Sequence, residues 1–486
     1  MRPGIQLLSP ELIERILGEA FQLLMNPGVR VGAAPVVEVL LSAGIAVADG
    51  VAHLPEAVIR RCLETVPRDF YLYNRQGKKA VHYGGDEVHF DPGSSCVQVL
   101  DPELLEARPS ETGDLVRIVQ AAEMLPQFAA QSTAVVCNDA PSEIGDLYRL
   151  FVVLQHSDKP VVTGSFSAAG LRGMLDLLVA DSGSEDKLRH QPRAIFDVCP
   201  SPPLNWSEFG SLNLLDLARA GVPAEIVAMP LAGGTAPVTL AGSVTQHAAE
   251  SLAGITLHQL AGPGSPIVWG GAPAIFDMRT GGAPMGAVET AMLNVACAEV
   301  GKYLGLPTHG YLVATDSKLI DAQAGAESAS SAMLGALAGI NMISGAGMLE
   351  SLACHSVEKL VIDAEGIASA IRLIEGIEPR GDTLATAMFG QTGLSGEFLK
   401  LKETRAWFRQ EQHFPSSVVD RSTQGSGTLP DIFQRARDRV EQLVSAYQKP
   451  VLAENIAREL ETILERESER VGVGKRISTM ELHIKS

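Results

Sequence analysis

Positive charge is scarce in this chain. Its 486 residues hold 39 lysines and arginines against 57 aspartates and glutamates, a formal net charge of −18, and no basic run interrupts the deficit. Such a surface repels phosphate backbones and anionic lipid, so nucleic acid and membrane surfaces are disfavoured as partners. Aromatics make up only 5% of residues, with three tryptophans, so each aromatic beside a loop carries extra information. The six cysteines, Cys62, Cys96, Cys137, Cys199, Cys297 and Cys354, are far apart and form no C-x-x-C, which argues against a zinc knuckle or a disulfide framework and for a cytoplasmic protein. The opening M-R-P-G-I-Q-L-L-S-P-E-L-I-E reaches acidic residues before a signal-peptide core accumulates. Residues 226–246 lack charge, yet Pro230, Gly233, Gly234, Pro237 and Gly242 break them up, and a lipid-exposed helix would leave the backbone groups freed there unpaired. No membrane span is expected.

Standard motifs are missing too. The chain has no G-x-x-x-x-G-K-[ST], no complete G-x-G-x-x-G, no H-E-x-x-H and no G-x-S-x-G, so nucleotide hydrolysis, dinucleotide redox chemistry, zinc proteolysis and serine hydrolysis lose support.

What is present is a rhythm. Apolar runs of strand length at 128–136, 160–164, 193–198, 224–229, 266–270, 307–313 and 339–344 alternate with helical patterns at 143–155, 168–180, 207–220, 243–261, 285–304, 321–338 and 356–376. Strands too apolar to face water, repeated in one uninterrupted unit, imply a parallel sheet closed into a (β/α)8, or TIM, barrel of the α/β class. An eighth strand has no clear place. The barrel is set at 106–380, after an N-terminal helical and β extension at 1–105 with helices at 9–24 and 35–43 and short β runs between Phe70 and Leu100. A C-terminal helical extension follows at 381–486, with helices at 431–448 and 451–470, a loop at 422–428 and a tail after Gly472.

The glycine- and proline-rich stretch 223–287 places tight turns at strand ends, where a barrel builds its site. Residues following expected strands include Phe166, Trp269 with Gly270 and Gly271, Tyr311, Asp316 and Lys318. Ring faces and small polar groups with few charges suit a small apolar or cationic ligand. Each candidate also has a plain reading. Trp269 can be packing, Arg279 can pin its own loop through Asp277, Lys318 can pair with Asp316 or Asp321 instead of forming a Schiff base, and His355 can cap a helix or sit in the core.

Six ordered blocks carry a resemblance: P-L-A-G-G-T-A-P-V-T-L-A-G (230–242), A-E-S-L-A-G-I-T-L-H-Q-L (249–260), P-G-S-P-I-V-W-G-G (263–271), D-M-R-T-G-G-A-P-M-G (277–286), T-D-S-K-L-I-D-A-Q-A-G-A-E (315–327) and L-V-I-D-A-E (360–365). They resemble the trimethylamine:corrinoid methyltransferase family, whose barrel receives a methylated amine and moves a methyl group from nitrogen to Co(I) of a corrinoid. The cobalt-ligating D-x-H-x-x-G motif of corrinoid-carrying proteins is absent from this chain, the nearest segment being A-V-H-Y-G-G at 80–85. The resemblance therefore implies a corrinoid brought by a separate small protein and not bound tightly by this chain. Founding members carry pyrrolysine, whereas this chain uses only standard residues, so it resembles the non-pyrrolysine members, and a quaternary amine such as glycine betaine, carnitine or proline betaine is the expected methyl donor. Asp316 and Lys318 become the catalytic candidates, Phe166, Trp269, Phe276, Arg279, Tyr311 and His355 the substrate-binding ones, and Gly270 and Gly271 the cofactor-facing ones, with no metal ligands. A homo-oligomer is expected. The competing readings are a trimethylamine methyltransferase, a Schiff-base barrel lyase using Lys318, and a non-catalytic betaine-binding protein.

Overall fold

In the computed structural model, which describes residues 2–423 and 430–474, eight strands close a parallel barrel: β1 (His89–Pro92), β2 (Gln131–Ser132), β3 (Val161–Gly164), β4 (Ala194–Val198), β5 (Ala224–Ala228), β6 (Ile267–Gly271), β7 (His309–Tyr311) and β8 (Met342–Ala346). Each is followed by a helix: α1 (Thr112–Met124), α2 (Gly145–His156), α3 (Ala168–Ser182), α4 (Glu208–Ala220), α5 (Leu240–Ala261), α6 (Val288–Tyr303), α7 (Ala322–Leu337) and α8 (Val357–Glu375). β2 to β6 form one continuous parallel ladder, β7 pairs with β8, and β8 pairs with β1. The two seams are narrower. Ala129 donates to the Phe90 carbonyl between β1 and β2, and Trp269 bridges Thr308 between β6 and β7.

The strand without a place in the sequence is β1, which lies before residue 106 inside the stretch read as an extension. Its run H-F-D-P is only four residues long and follows a hairpin of similar composition, so nothing local marks it as barrel. β2 is also shorter than the run 128–136, because the chain leaves the ladder after Ser132 and bridges Cys96 at Val135 instead. Helices Glu56–Thr65, Glu185–His190 and Lys402–Glu411 were not foreseen. The loop read at 422–428 and the tail after Gly472 lie almost wholly outside the described residues.

Alternation along the strands sorts side chains into two layers. Val162, Ile195, Val268 and Met342 point into the barrel near its N-terminal end, where they pack on Phe70, Leu72, Val81 and Tyr83. Those four residues belong to an antiparallel hairpin, Phe70–Tyr73 with Lys79–Tyr83, which seals that end. At the opposite, C-terminal end no such plug is present among the described residues, and Gly164 and Asp197 keep partial exposure.

The extensions cover helices and also reach the loops at the C-terminal end of the barrel, strand Val29–Val31 pairing with Asn205–Trp206 after β4. Helix Pro10–Met25 has Ser9 as its N-cap, the Ser9 side chain accepting from the Leu12 amide, and buries Ile13, Ile16, Leu17, Ala20, Phe21 and Leu24 at helical spacing. It packs on α5, as do helices Ala34–Ser42 and Glu56–Thr65. This explains why α5 is buried at every position from Ser243 to Gln259. At the other end, helix Ile432–Ala446 packs on α8 and α1, and helix Glu454–Arg470 on α3 and α2. Among the described residues no helix is long and apolar enough to cross a membrane.

Candidate active site

One acidic residue stands in each of three otherwise apolar strands: Asp91 in β1, Asp197 in β4 and Glu225 in β5. All three point inward, onto the layer just above the hairpin plug. Asp197 and Glu225 are register partners across the parallel ladder and share a side-chain hydrogen bond. Tyr83 of the plug donates from its hydroxyl to Glu225 Oε2 at 3.5 Å. On the far wall, His309 Nδ1 lies 3.1 Å from Glu225 Oε1, its Nε2 lies 3.0 Å from Ser344 Oγ, and Ser344 Oγ donates to Asp91 Oδ1 at 2.6 Å. The side chains of β4, β5, β7, β8 and β1 thus join in a ring around the barrel.

The protons follow from the partners. With its hydrogen directed to Asp91, the Ser344 hydroxyl accepts from His309 Nε2–H, which leaves His309 Nδ1 with a bare lone pair facing Glu225. Burial pushes the His309 imidazole down to about 3, so it stays neutral. Burial and the neighbouring carboxylates push Glu225 well above the usual carboxylate range, and burial does the same to Asp91. Asp197 is pushed up to about 7, again by burial. Three adjacent carboxyls in a low-dielectric interior cannot all ionise, and Asp197 is raised less far than Glu225 beside it. Asp197 is also the least buried residue of the three, Asp91 and Glu225 being fully buried, although its Oδ1 is itself enclosed. Its Oδ1 has no hydrogen-bond partner within the chain.

Above the floor, Tyr311 points inward, set edge-on to His309 at 5.7 Å, and its hydroxyl accepts from the Ser94 amide at 3.0 Å. Asp316 braces the mouth: its Oδ1 accepts from the Met285 amide and from Ser351 Oγ, both at 2.7 Å, tying together the loops after β6, β7 and β8. Glu327 supports it from α7, accepting from the Asp316 amide at 2.9 Å and from the Thr315 hydroxyl. The Ser351 contact holds a strained turn, in which Glu350, Ser351 and Leu352 all have φ between 50° and 79°.

The remaining sequence candidates fall elsewhere. Trp269 faces out of the barrel: it is 1% exposed, its indole N–H donates to the Cys297 carbonyl of α6 at 2.9 Å, and Gly301 lets α6 lie against its ring. It is packing between strand and helix, and the ammonium cage expected there is not formed by it. Gly270 and Gly271 leave room for the protein itself. A Cβ on Gly270 would stand 2.6 Å from the Ile226 carbonyl oxygen and 2.9 Å from His309 Nδ1, and one on Gly271 2.3 Å from His247 Nε2. Neither glycine is a cofactor platform. His355 is fully buried under the turn after β8, and burial together with Lys359 pushes it down to about 3, so it offers no charge to a ligand carboxylate. Arg279 is committed to Asp277 through bonds of 2.8 and 3.0 Å, with its side chain 89% exposed. Lys318 is 75% exposed and 3.9 Å from Glu350, without the desolvation a Schiff-base lysine needs. Phe166 stands exposed on the rim with Arg149 above its ring, and Phe276 packs beside Gly234 on the loop after β6.

The sequence pattern described as Trimethylamine methyltransferase (MTTB) matches residues 1–472. The chain belongs to that family. It is 28% identical over 477 residues to a trimethylamine methyltransferase of Desulfitobacterium hafniense strain DCB-2, covering 97% of this chain and 96% of that one. A trimethylamine methyltransferase of Methanosarcina thermophila is 30% identical over 467 residues, covering 93% and 95%. A glycine betaine methyltransferase of Desulfitobacterium hafniense strain Y51 is 26% identical over 475 residues, covering 97% and 98%. The crystal structure of the Methanosarcina barkeri monomethylamine methyltransferase superposes with a TM-score of 0.52 at 10% identity, covering 96% of this chain and 88% of that one, which confirms the barrel fold.

In this methyltransferase the residues that sequence reading missed are therefore Asp91, Asp197, Glu225, His309 and Ser344. Their signal was a lone acid inside an apolar strand, in H-F-D-P, A-I-F-D-V and A-E-I-V-A. A strand buried on both faces leaves no other reason for a carboxyl than a role inside the barrel.

Proposed function

We propose that this methyltransferase removes a methyl group from a quaternary amine and passes it to Co(I) of a corrinoid carried by a separate small protein. The observation that carries the reading is the acidic floor of the barrel, where Asp91 Oδ2, Asp197 Oδ1 and Glu225 Oε1 are all buried without a hydrogen-bond partner. A fixed anion replaces the weak hydration that a quaternary ammonium loses on entering, and the inward ring of Tyr311 adds an aromatic face worth about 0.5–2 kcal/mol. The N–CH3 bond breaks with its electron pair left on nitrogen, and the methyl carbon bonds to cobalt. Since the nitrogen already bears a full positive charge, a neutral tertiary amine departs and no proton is needed. The protein's task is then to position the methyl group and exclude water, which can supply about 7–11 kcal/mol of the barrier.

A carrier in trans is supported by where this chain's own motif-like histidine stands. His82 of A-V-H-Y-G-G lies in the hairpin that seals the far end, stacked on Tyr71 at 4.3 Å. A panel of methylated amines offered with reduced cobalamin, followed through loss of Co(I) absorbance and gain of methyl-Co(III), tests the proposal. Turnover of quaternary amines without turnover of trimethylamine is expected, and robust trimethylamine demethylation would overturn it.

A further inference from the structure

The loops at the open end set the charge that a ligand meets. Residues 93–111, 133–144, 165–167, 199–207, 229–239, 272–287, 312–321 and 347–356, which follow β1 to β8 in turn, contain Arg108, Arg279 and Lys318 and no other lysine or arginine. Arg108 is held by Asp114 through two bonds of 2.8 Å and by Asp101. Arg279 is forked onto Asp277, and Lys318 extends into solvent beside Glu350. Two further cations stand just inside the helices. Arg149 is buried and bonded to Ser95, the Thr133 carbonyl and Asp146, and Lys359 is buried against Asp363 at 2.6 Å and Ser328 at 2.8 Å. The only histidine in these loops, His355, is buried and neutral. Against this the same loops carry Asp101, Glu103, Glu106, Glu111, Asp139, Glu143, Asp277, Asp316, Asp321 and Glu350, above a floor of Asp91, Asp197 and Glu225.

Within these loops a ligand finds acids for its cationic end and no free cation for an anionic one, exposed Arg30 lying on the extension strand that pairs with Asn205 of the loop after β4. A betaine's carboxylate sits close to its nitrogen, so seating the ammonium on Asp197 would bring two like charges together in a site poor in water, with nothing to neutralise the second. We propose that the pocket takes a methylated ammonium bearing no carboxylate, such as tetramethylammonium or choline, with Asp197 as the residue that meets the positive charge and rejects betaines. This inference rests on the proposed function, in that it takes the open end of the barrel as the amine site, and it narrows the class of amine.

Calorimetric titration of the full chain at pH 8 with tetramethylammonium, choline, glycine betaine and carnitine tests it without the carrier protein. Tetramethylammonium and choline are expected to bind at least tenfold more tightly than glycine betaine and carnitine. Asp197→Asn should weaken choline binding tenfold or more and shrink the gap between the two classes, its circular dichroism showing an intact fold. Should that variant fail to fold, the unaltered protein carries the same test. Asp197 faces Glu225, Asp91, Tyr83, Tyr311, Cys199 and His309 and no lysine or arginine among these, so choline affinity should fall as pH drops from 8 to 5.5. Betaines binding as tightly as choline, or choline affinity indifferent both to Asp197→Asn and to pH, would overturn the inference. Binding and demethylation of betaines alone would sink this inference and leave the methyl-transfer proposal standing, whereas no methylated cation binding at all would sink both.

Discussion

Val268, Trp269 and Gly270 are consecutive on β6, yet they belong to two different environments. Val268 looks down into the barrel onto the hairpin plug, Trp269 looks out at α6, and Gly270 looks in again, close to His309 and Glu225. The outward face is closed and packed, with indole N–H to carbonyl, His247 Nε2 to the Gly270 carbonyl at 3.0 Å and glycine against ring, only His247 Nδ1 being left without a partner. The inward face holds three carboxyls, a neutral imidazole and an unpartnered oxygen in one small space. Stability is the business of the first face and chemistry of the second, and a strand's period of two assigns each residue to one or the other.

The comparison can be broken most sharply at Asp197. Asp197→Asn should lower methyl transfer at least a hundredfold, as followed by Co(I) consumption, while the melting temperature holds steady or rises, because the variant removes a charge that the interior disfavours. A melting temperature several degrees lower would mean that the acid is structural. Trp269→Leu should do the reverse, costing about 2–4 kcal/mol of stability through the cavity it leaves, with the KM for amine unchanged. Gly270→Ala sits at the border of the two faces. Its Cβ would crowd the Ile226 carbonyl and His309, so a loss of about 1–3 kcal/mol is expected together with a smaller loss of turnover, both from one clash.

Acidity offers a further test. Asp197, Glu225 and Asp91 all titrate higher in the folded chain than in the unfolded one, so between roughly pH 4 and 7 the native state holds protons that the unfolded state has already released. Their contribution to stability is therefore greatest below the ordinary carboxylate range and declines as pH rises towards about 7. Denaturant midpoints across that window should fall less steeply with pH in Glu225→Gln than in the parent protein, and parallel slopes would remove the cluster from the account. The smallest effect belongs to Lys318. Lys318→Ala should leave stability within about 0.5 kcal/mol and turnover unchanged, with no substrate-derived mass on the lysine after borohydride treatment.

How far the sequence could be read depended on what each signal measures. Seven strand and helix alternations were visible because burial on both faces makes a strand uniformly apolar, and β3 to β6 lie within a residue or two of the runs that suggested them. β1 was not, since four residues ending in Pro92 carry no period. The site failed for another reason. Rarity drew attention to Trp269 and to glycines beside it, but rarity says nothing of which way a side chain points. The lone acids Asp91, Asp197 and Glu225 were the better clue, because an apolar strand tolerates a carboxyl only where inward neighbours such as His309, Ser344 and Tyr83 can engage it. Of the residues singled out beforehand, Tyr311 faces the floor, Asp316 braces the mouth and Arg279 has the plain ion pair with Asp277, whereas Lys318 lies beside Glu350 and not in the pair expected with Asp316 or Asp321.

The hairpin Phe70–Tyr83 has a kinetic meaning as well as a structural one. With Phe70, Leu72, Val81 and Tyr83 stoppering one end, the amine and carrier of the proposed reaction would share a single doorway, and whichever arrives first would stand nearer the wall. A small amine can pass that doorway ahead of a protein-sized acceptor but not behind it. Turnover should accordingly follow a compulsory order, amine first and carrier second, with the demethylated product held until the carrier departs and with excess carrier inhibiting against the amine.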